Sequence, residues 1–148
     1  VTFIGDGIER ETLELKVKKL GLENVVWFYG ACYDEWTNAD LVYNADLCVA
    51  PGNVGLTAIH TMVFGTPVIT HNDLKWQMPE FESITPLQTG NFFEYGSVAS
   101  LTEKIEEWFN INGIRRDYIR QECYKEIDHN WTPQFQIEVL KKNIGLHE

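Results

Sequence analysis

The sequence predicts an α/β fold, a parallel sheet with helices on both faces. Short apolar runs alternate with amphipathic segments from Val1 to about Phe93, as in strands joined through crossover helices. Glycine-bearing turns follow the runs that end at Ile4, Tyr29 and Ala50. The 148 residues, 44% hydrophobic and 23% charged, suffice for one domain with a core.

Val1–Ile4 predicts a buried strand and Gly5-Asp6-Gly7 a turn. Residues 8–20 put Leu13, Val17 and Leu20 on one helical face, and Gly21 stands where a helix C-cap glycine belongs. Asn24–Tyr29 predicts a second strand ended by Gly30, followed by a helix over 34–43. A strand over 46–50, a helix over 54–64 and a strand over 67–70 come next. Residues 71–86 form a loop with a short helix at 79–83, before a brief strand near Phe92-Phe93. Helices over 98–110, 114–128 and 133–142 complete the chain, with Pro133 in a first turn, where its missing N–H costs nothing. Ligands of open parallel sheets bind beyond the carboxyl ends of the strands. The turns after residues 4, 29, 50 and 70 are therefore expected on one rim.

Charge and motifs narrow the ligand. A net charge of −10, from 12 basic and 22 acidic residues, argues against a nucleic-acid partner. Lys16, Lys18 and Lys19 suit the solvated C-terminal turn of a helix. A phosphorylated small molecule remains compatible, because backbone amides bind anions without basic side chains. Cys32, Cys48 and Cys123 form no metal or redox motif and point to a reducing cytosol. His60, His71, His129 and His147 lack the spacing of a helical zinc pair, so neither a catalytic metal nor a cofactor is expected. No apolar run is long enough to span a bilayer, and no signal peptide opens the chain. It begins at Val1 without methionine, which predicts a segment of a longer protein. Gly5-x-Gly7 is not a dinucleotide fingerprint, since Arg10 holds the third glycine's place, and no Gly-Lys-Ser/Thr supplies a P-loop.

The stretch "PGNVGLTAIH" at residues 51–60 is the most informative turn. Gly52 and Gly55 allow close backbone approach, and a helix starting near Val54 presents unpaired N–H groups and its positive dipole end. Together they make an anion site suited to a diphosphate. An ordinary tight turn with glycines for packing satisfies the same pattern.

Longer strings carry a resemblance. "GDGIERETLELKVKKLGLENVVWFYGACYDEWTNADLVYNADLCVAPG" and "GLTAIHTMVFGTPVIT" resemble the C-terminal domain of group 1 (family 4) retaining glycosyltransferases. That family reads G-D-G-P-E-R, then L-G-L, F-x-G, an A-D strand and E-G-F-G-L-x-x-x-E-A-M-A-x-G-x-P-V-V. The resemblance implies a Rossmann-like domain, the C-terminal half of a GT-B architecture, that holds a nucleotide-sugar donor. By the same resemblance, Val54, Gly55, Leu56 and Thr57 contact the diphosphate, Tyr29, Gly30 and Ala31 lie near the nucleobase, and Gly5 joins the donor-binding set. Strand packing accounts equally for Tyr29.

Two departures stand out. The family carries two glutamates separated by seven residues, and Gly52 and His60 occupy those positions. Asn53 and Asp73 are candidates for the lost sugar contact. His60 can donate and accept hydrogen bonds and is the one catalytic candidate. A helix N-terminus disfavours its imidazolium while a diphosphate favours it, and helix packing explains a histidine there as well. Some bacterial polysaccharide transferases resemble this P-G-x-V-G-L…H variant. Pro79-Glu80 and Thr89-Gly90 fit the family's P-E and T-G; Glu80 suits a helix N-terminus first and a cleft second. Trp76 and Gln77 are candidates to face sugar or acceptor.

The resemblance implies retaining transfer to a glycan or lipid-linked acceptor, held with the acid–base machinery by an N-terminal domain. Residues 1–148 would be the nucleotide-sugar-binding domain without its first strand–helix unit, inactive alone. The full enzyme is expected in the cytoplasm, with peripheral association at the inner face of the membrane as one option. A nucleotide-sugar epimerase and a non-catalytic nucleotide-binding domain are the open alternatives.

Overall fold

The computed structural model describes residues 1–145, so His147 lies outside the described residues. The chain divides into two units, residues 1–41 and 42–148. Both are built from parallel strands and helices.

Unit 1 holds β1 (Thr2–Ile4), α1 (Arg10–Lys19), β2 (Trp27–Gly30) and the start of α2 (Glu35–Asn44). β1 and β2 pair in parallel, Thr2 opposite Trp27 and Phe3 opposite Phe28, and the two phenylalanine rings stack at 5.1 Å. The second strand starts later than the sequence predicts. The carbonyl of Leu22 takes the N–H of both Val25 and Val26, which holds those residues in a turn. Gly21 ends α1 as expected: at φ +66° it lets Leu22 N–H reach Val17 O and its own N–H reach Lys18 O. Asp34 caps α2, and the Thr37 hydroxyl, then the Thr37 N–H, hold its carboxylate below the ordinary range.

The expected burial of Val1–Ile4 is corrected, and the Leu13/Val17/Leu20 face is largely open to solvent. Phe3 and Ile4 are each 44% exposed, Leu13 and Leu20 are exposed, and Val17 is half-buried. The physical reason is size. A two-stranded ladder and a ten-residue helix within 41 residues provide too few apolar partners to close a core.

Unit 2 carries β3 (Cys48–Ala50), α3 (Thr57–Val63), β4 (Val68–His71), 3-10 turns at Leu74–Trp76 and Pro79–Ser83, and β5 (Gly90–Phe93). Helices α4 (Val98–Asn112), α5 (Arg116–Asn130) and α6 (Pro133–Asn143) follow. The three strands form a parallel sheet in the order β3-β4-β5, with Cys48 opposite Val68 and Val68 opposite Gly90. Every residue of the central β4 is buried. Val54, Ala58, Met62, Phe93, Trp108 and Ile119 belong to the same core as its Val68 and Ile69. Burial pushes the Cys48 thiol up to about 11 and the Cys123 thiol up to about 12, so both sulfurs serve packing.

Helix α5 is locked to the ends of two other helices. Arg120 lies 3.8 Å over the Tyr43 ring and donates to the carbonyls of Tyr43 and Phe64, the last turn of α2 and the C-cap of α3. Arg116 adds a bond to Tyr43 O and a 2.9 Å ion pair with Asp46. Gly65, at φ +74°, is needed here because a Cβ would stand 2.2 Å from Arg120 Cγ.

Gly90 is under the tightest constraint, since a Cβ there would sit 1.8 Å from the Val68 carbonyl oxygen of the paired strand. Gly90→Ala is expected to lower the unfolding free energy by about 3 kcal/mol, as overpacking against fixed backbone does. Urea denaturation followed by circular dichroism measures it.

Candidate functional site

The turn that leaves β3 runs from Pro51 to Leu56 and is built by three devices. The Thr70 hydroxyl, on β4, contacts the carbonyls of Ala50 at 2.9 Å and Gly52 at 3.2 Å. The Val54 N–H donates to Gln77 Oε1 at 2.9 Å. Gly55 takes φ +45°, a conformation that side chains disfavour.

These devices move the helix start. The sequence predicts a helix from Val54, whereas α3 begins at Thr57 with Leu56 as its N-cap. Left-handed Gly55 and the bond from Val54 to Gln77 keep residues 54 and 55 out of the helix. At seven residues α3 is also short, so its macrodipole is weak and the turn's own amides carry any anion binding. The N–H groups of Gly55 and Leu56 have no acceptor among the described residues. Thr57 N–H is taken by Val54 O, and the Thr57 carbonyl accepts from the Thr61 hydroxyl.

The two departures from the family pattern have definite surroundings. Gly52 is exposed and a Cβ added there meets no atom within 4 Å, so the turn has room for a side chain and simply lacks one. His60 is exposed as well, which removes helix packing as its explanation. It is the middle residue of the seven-residue α3, three residues from either end.

Asn53 is exposed, and its Oδ1 lies 3.6 Å from where a Gly55 Cβ would be. Asp73 caps the first 3-10 turn, accepting from Lys75 N–H at 3.2 Å, and its own N–H donates to His71 Nδ1. Asp73 therefore sits in the loop that Gln77 ties to the 51–56 turn. The His71 ring packs edge-on against Tyr95 at 4.7 Å while its Nδ1 meets the Asp73 N–H. Glu80 stands in the first turn of the second 3-10 element, where its charge suits an N-terminus, and its Oε2 is buried without a hydrogen-bond partner among the described residues.

In unit 1 the predicted residues Gly5 and Gly30 come together. Gly5 N–H donates to Gly30 O at 2.8 Å, with φ of +129° and +91°. Tyr29 is half-buried with its ring edge-on to Trp27 at 5.2 Å, and Ala31 is exposed.

Sequence reasoning missed what Gln77 and Thr70 do. Gln77, a candidate to face sugar or acceptor, spends its carboxamide on the protein: besides accepting from Val54, its Nε2 donates to Thr70 Oγ1 at 2.9 Å and His71 O at 3.1 Å. No local spacing signals a contact across 23 residues. Trp76 beside it is exposed and free to meet a ligand.

Comparison with known proteins adds the family. The model for "Glycosyl transferases group 1" matches residues 1–125. No curated protein sequence matches the chain. Among solved structures, HepE of Anabaena, in complex with UDP, superposes with a TM-score of 0.72 at 19% identity over 97% of this chain. TarM of S. aureus, with fondaparinux, alpha-GlcNAc-glycerol and UDP, gives 0.76 at 19% identity over 98% of this chain. The C-terminal domain of LpcC from Francisella tularensis, a glycosyl transferase group 1 family protein, gives 0.67 at 24% identity over 84% of this chain. The chain spans 40% of HepE, 28% of TarM and 63% of the LpcC domain. The shared feature is the α/β fold of parallel strands flanked by helices, as in the C-terminal Rossmann-like domain of GT-B glycosyltransferases.

The glycines of the turn are unequal. Gly52→Ala is expected to leave the unfolding free energy within about 0.5 kcal/mol of the parent. Gly55→Ala is expected to cost about 1 kcal/mol through its left-handed backbone. Parallel urea titrations distinguish the two.

Proposed function

The chain belongs to the group 1 glycosyl transferases, and from that premise we propose that it is the donor-binding part of a retaining enzyme. The enzyme moves a sugar from a nucleoside-diphosphate sugar to a glycan or lipid-linked acceptor in cell-surface polysaccharide synthesis. It works in the cytoplasm or at the inner face of the membrane, and an N-terminal domain brings the acceptor. The observation that carries the donor reading is the turn after β3, where the Gly55 and Leu56 N–H groups have no acceptor among the described residues.

In this reading those amides, with the Thr57 hydroxyl, meet the diphosphate. Val54 shapes the turn from below. Departure of the diphosphate from an oxocarbenium-like centre is the demanding step, and fixed backbone donors stabilise the charge as it develops. His60 faces the nucleotide from the exposed side of α3 and, when protonated, offsets part of the diphosphate charge. Gly52 supplies no sugar contact, so Asn53 or Asp73 supplies it. By family analogy Gly5, Tyr29, Gly30 and Ala31, all in unit 1, are candidates for nucleobase contact.

Gly52 and His60 also favour a second reading, a non-catalytic nucleotide-binding domain. The two part on one experiment. Full-length protein and its His60→Ala variant are titrated calorimetrically with UDP, GDP, ADP and CMP and assayed for sugar transfer. UDP comes first because HepE and TarM were solved with it. The donor reading expects submillimolar binding of one nucleoside diphosphate, with affinity and transfer reduced about tenfold in His60→Ala, near 1.4 kcal/mol. His60 is exposed, so such a loss would not reflect unfolding. Unchanged affinity would remove His60 from the site, and nucleotide binding without transfer in the full-length protein would establish the second reading.

Residues 1–148 alone are expected to bind nucleotide without turnover. Transfer by this chain with any nucleotide sugar overturns that expectation.

A further inference from the structure

The strongest unassigned feature is the carboxamide of Gln77. It is half-buried in the loop after β4 and makes three hydrogen bonds to two other segments. Its orientation is dictated by its partners. Nε2 faces the carbonyl of His71 and Oε1 faces the N–H of Val54, so a flipped amide would set oxygen against oxygen and N–H against N–H. Because Thr70 Oγ1 receives a Gln77 proton, its own proton must point to the carbonyl of Ala50 or Gly52. A directed chain therefore runs from Gln77 through Thr70 to the start of the 51–56 turn, while the other arm of Gln77 grips that turn at Val54.

Val54 is only 2% exposed, so water cannot readily replace Gln77 on its N–H. An unpaired buried amide is costly, and the turn would have to rearrange to satisfy it. Rearrangement would carry the adjacent Gly55 and Leu56 amides with it.

We propose that Gln77 is a positioning residue for diphosphate binding. Its carboxamide splints residues 50–54 onto the end of β4 and so presets the direction of the Gly55 and Leu56 N–H groups. This rests on the donor-binding reading and adds how the donor turn is held. The splint differs from a placeholder that yields Val54 to the incoming phosphate. A placeholder would be released on binding, whereas Gln77 has both ends of its amide committed, Oε1 to Val54 and Nε2 to Thr70 and His71.

The test compares full-length wild-type, Gln77→Met and Gln77→Glu proteins by UDP, GDP and ADP calorimetry, with circular dichroism confirming the fold. Gln77→Met keeps the length and loses every hydrogen bond, and should bind the preferred nucleotide about tenfold more weakly. Gln77→Glu should be as weak at about pH 7.5, where a carboxylate opposes the His71 carbonyl. Its affinity relative to wild type at the same pH should recover towards about pH 5, because a protonated acid again offers one donor and one acceptor. Such recovery would not follow from a role in packing alone, and it decides the question where Gln77→Met does not fold. Affinity in folded Gln77→Met equal to or tighter than wild type, or a Gln77→Glu deficit independent of pH, overturns the proposal while the donor reading stands. Wild-type protein that binds none of the three nucleotides overturns the donor reading and this proposal together.

Discussion

Strand β4 is buried on both faces and hydrogen-bonded along both edges, with β3 on one side and β5 on the other. That double closure organises unit 2. A strand in this position can admit neither a stray polar group nor a loosely fitting neighbour. Hence Gly90 opposite Val68, where a methyl group would meet backbone, and hence the commitment of the Thr70 hydroxyl to the main chain. Polar side chains at the end of a buried strand must find partners. Thr70 finds them in the segment leaving β3, and Gln77 completes the set.

The candidate site inherits its geometry from that requirement. The turn is held on one side by the Thr70 hydroxyl, on the other by the Gln77 carboxamide, and bent by the left-handed Gly55. Rigidity of this origin suits a group that binds through backbone amides, because such donors are useful only when their direction is set beforehand. The same geometry shortens α3 and leaves His60 as its middle residue. At the other end of α3, Arg120 ties the ends of α2 and α3 to α5 through carbonyls that the helices themselves leave unpaired.

Unit 1 is organised on a smaller scale. Its two strands are joined by a ladder and a pair of stacked rings, and Gly5 bonds back to Gly30 where both strands end. Its large apolar residues stay exposed, since one thin ladder and one helix offer them no second layer. Hydrophobic pattern alone therefore overstated burial there. Periodicity reports which residues share a face and does not report whether anything covers it.

Much of the architecture was legible in the residues themselves. The strand–helix alternation, the capping role of Gly21, the first-turn place of Pro133 and the short helix at 79–83 all follow from local chemistry. The family was legible too, because it is carried by blocks of sequence in order. What the sequence left open were the quantities set by distant partners. The start of β2 depended on a turn at Leu22, the start of α3 on a glutamine 23 residues beyond Val54, and the burial of Phe3 on how little unit 1 provides to cover it. By itself the sequence determined the order and type of the elements, the glycine turn and the two positions where glutamates are absent. Only the tertiary structure decided which amides of that turn remain without acceptors, because hydrogen-bond partners far apart in the chain leave no periodic trace in it.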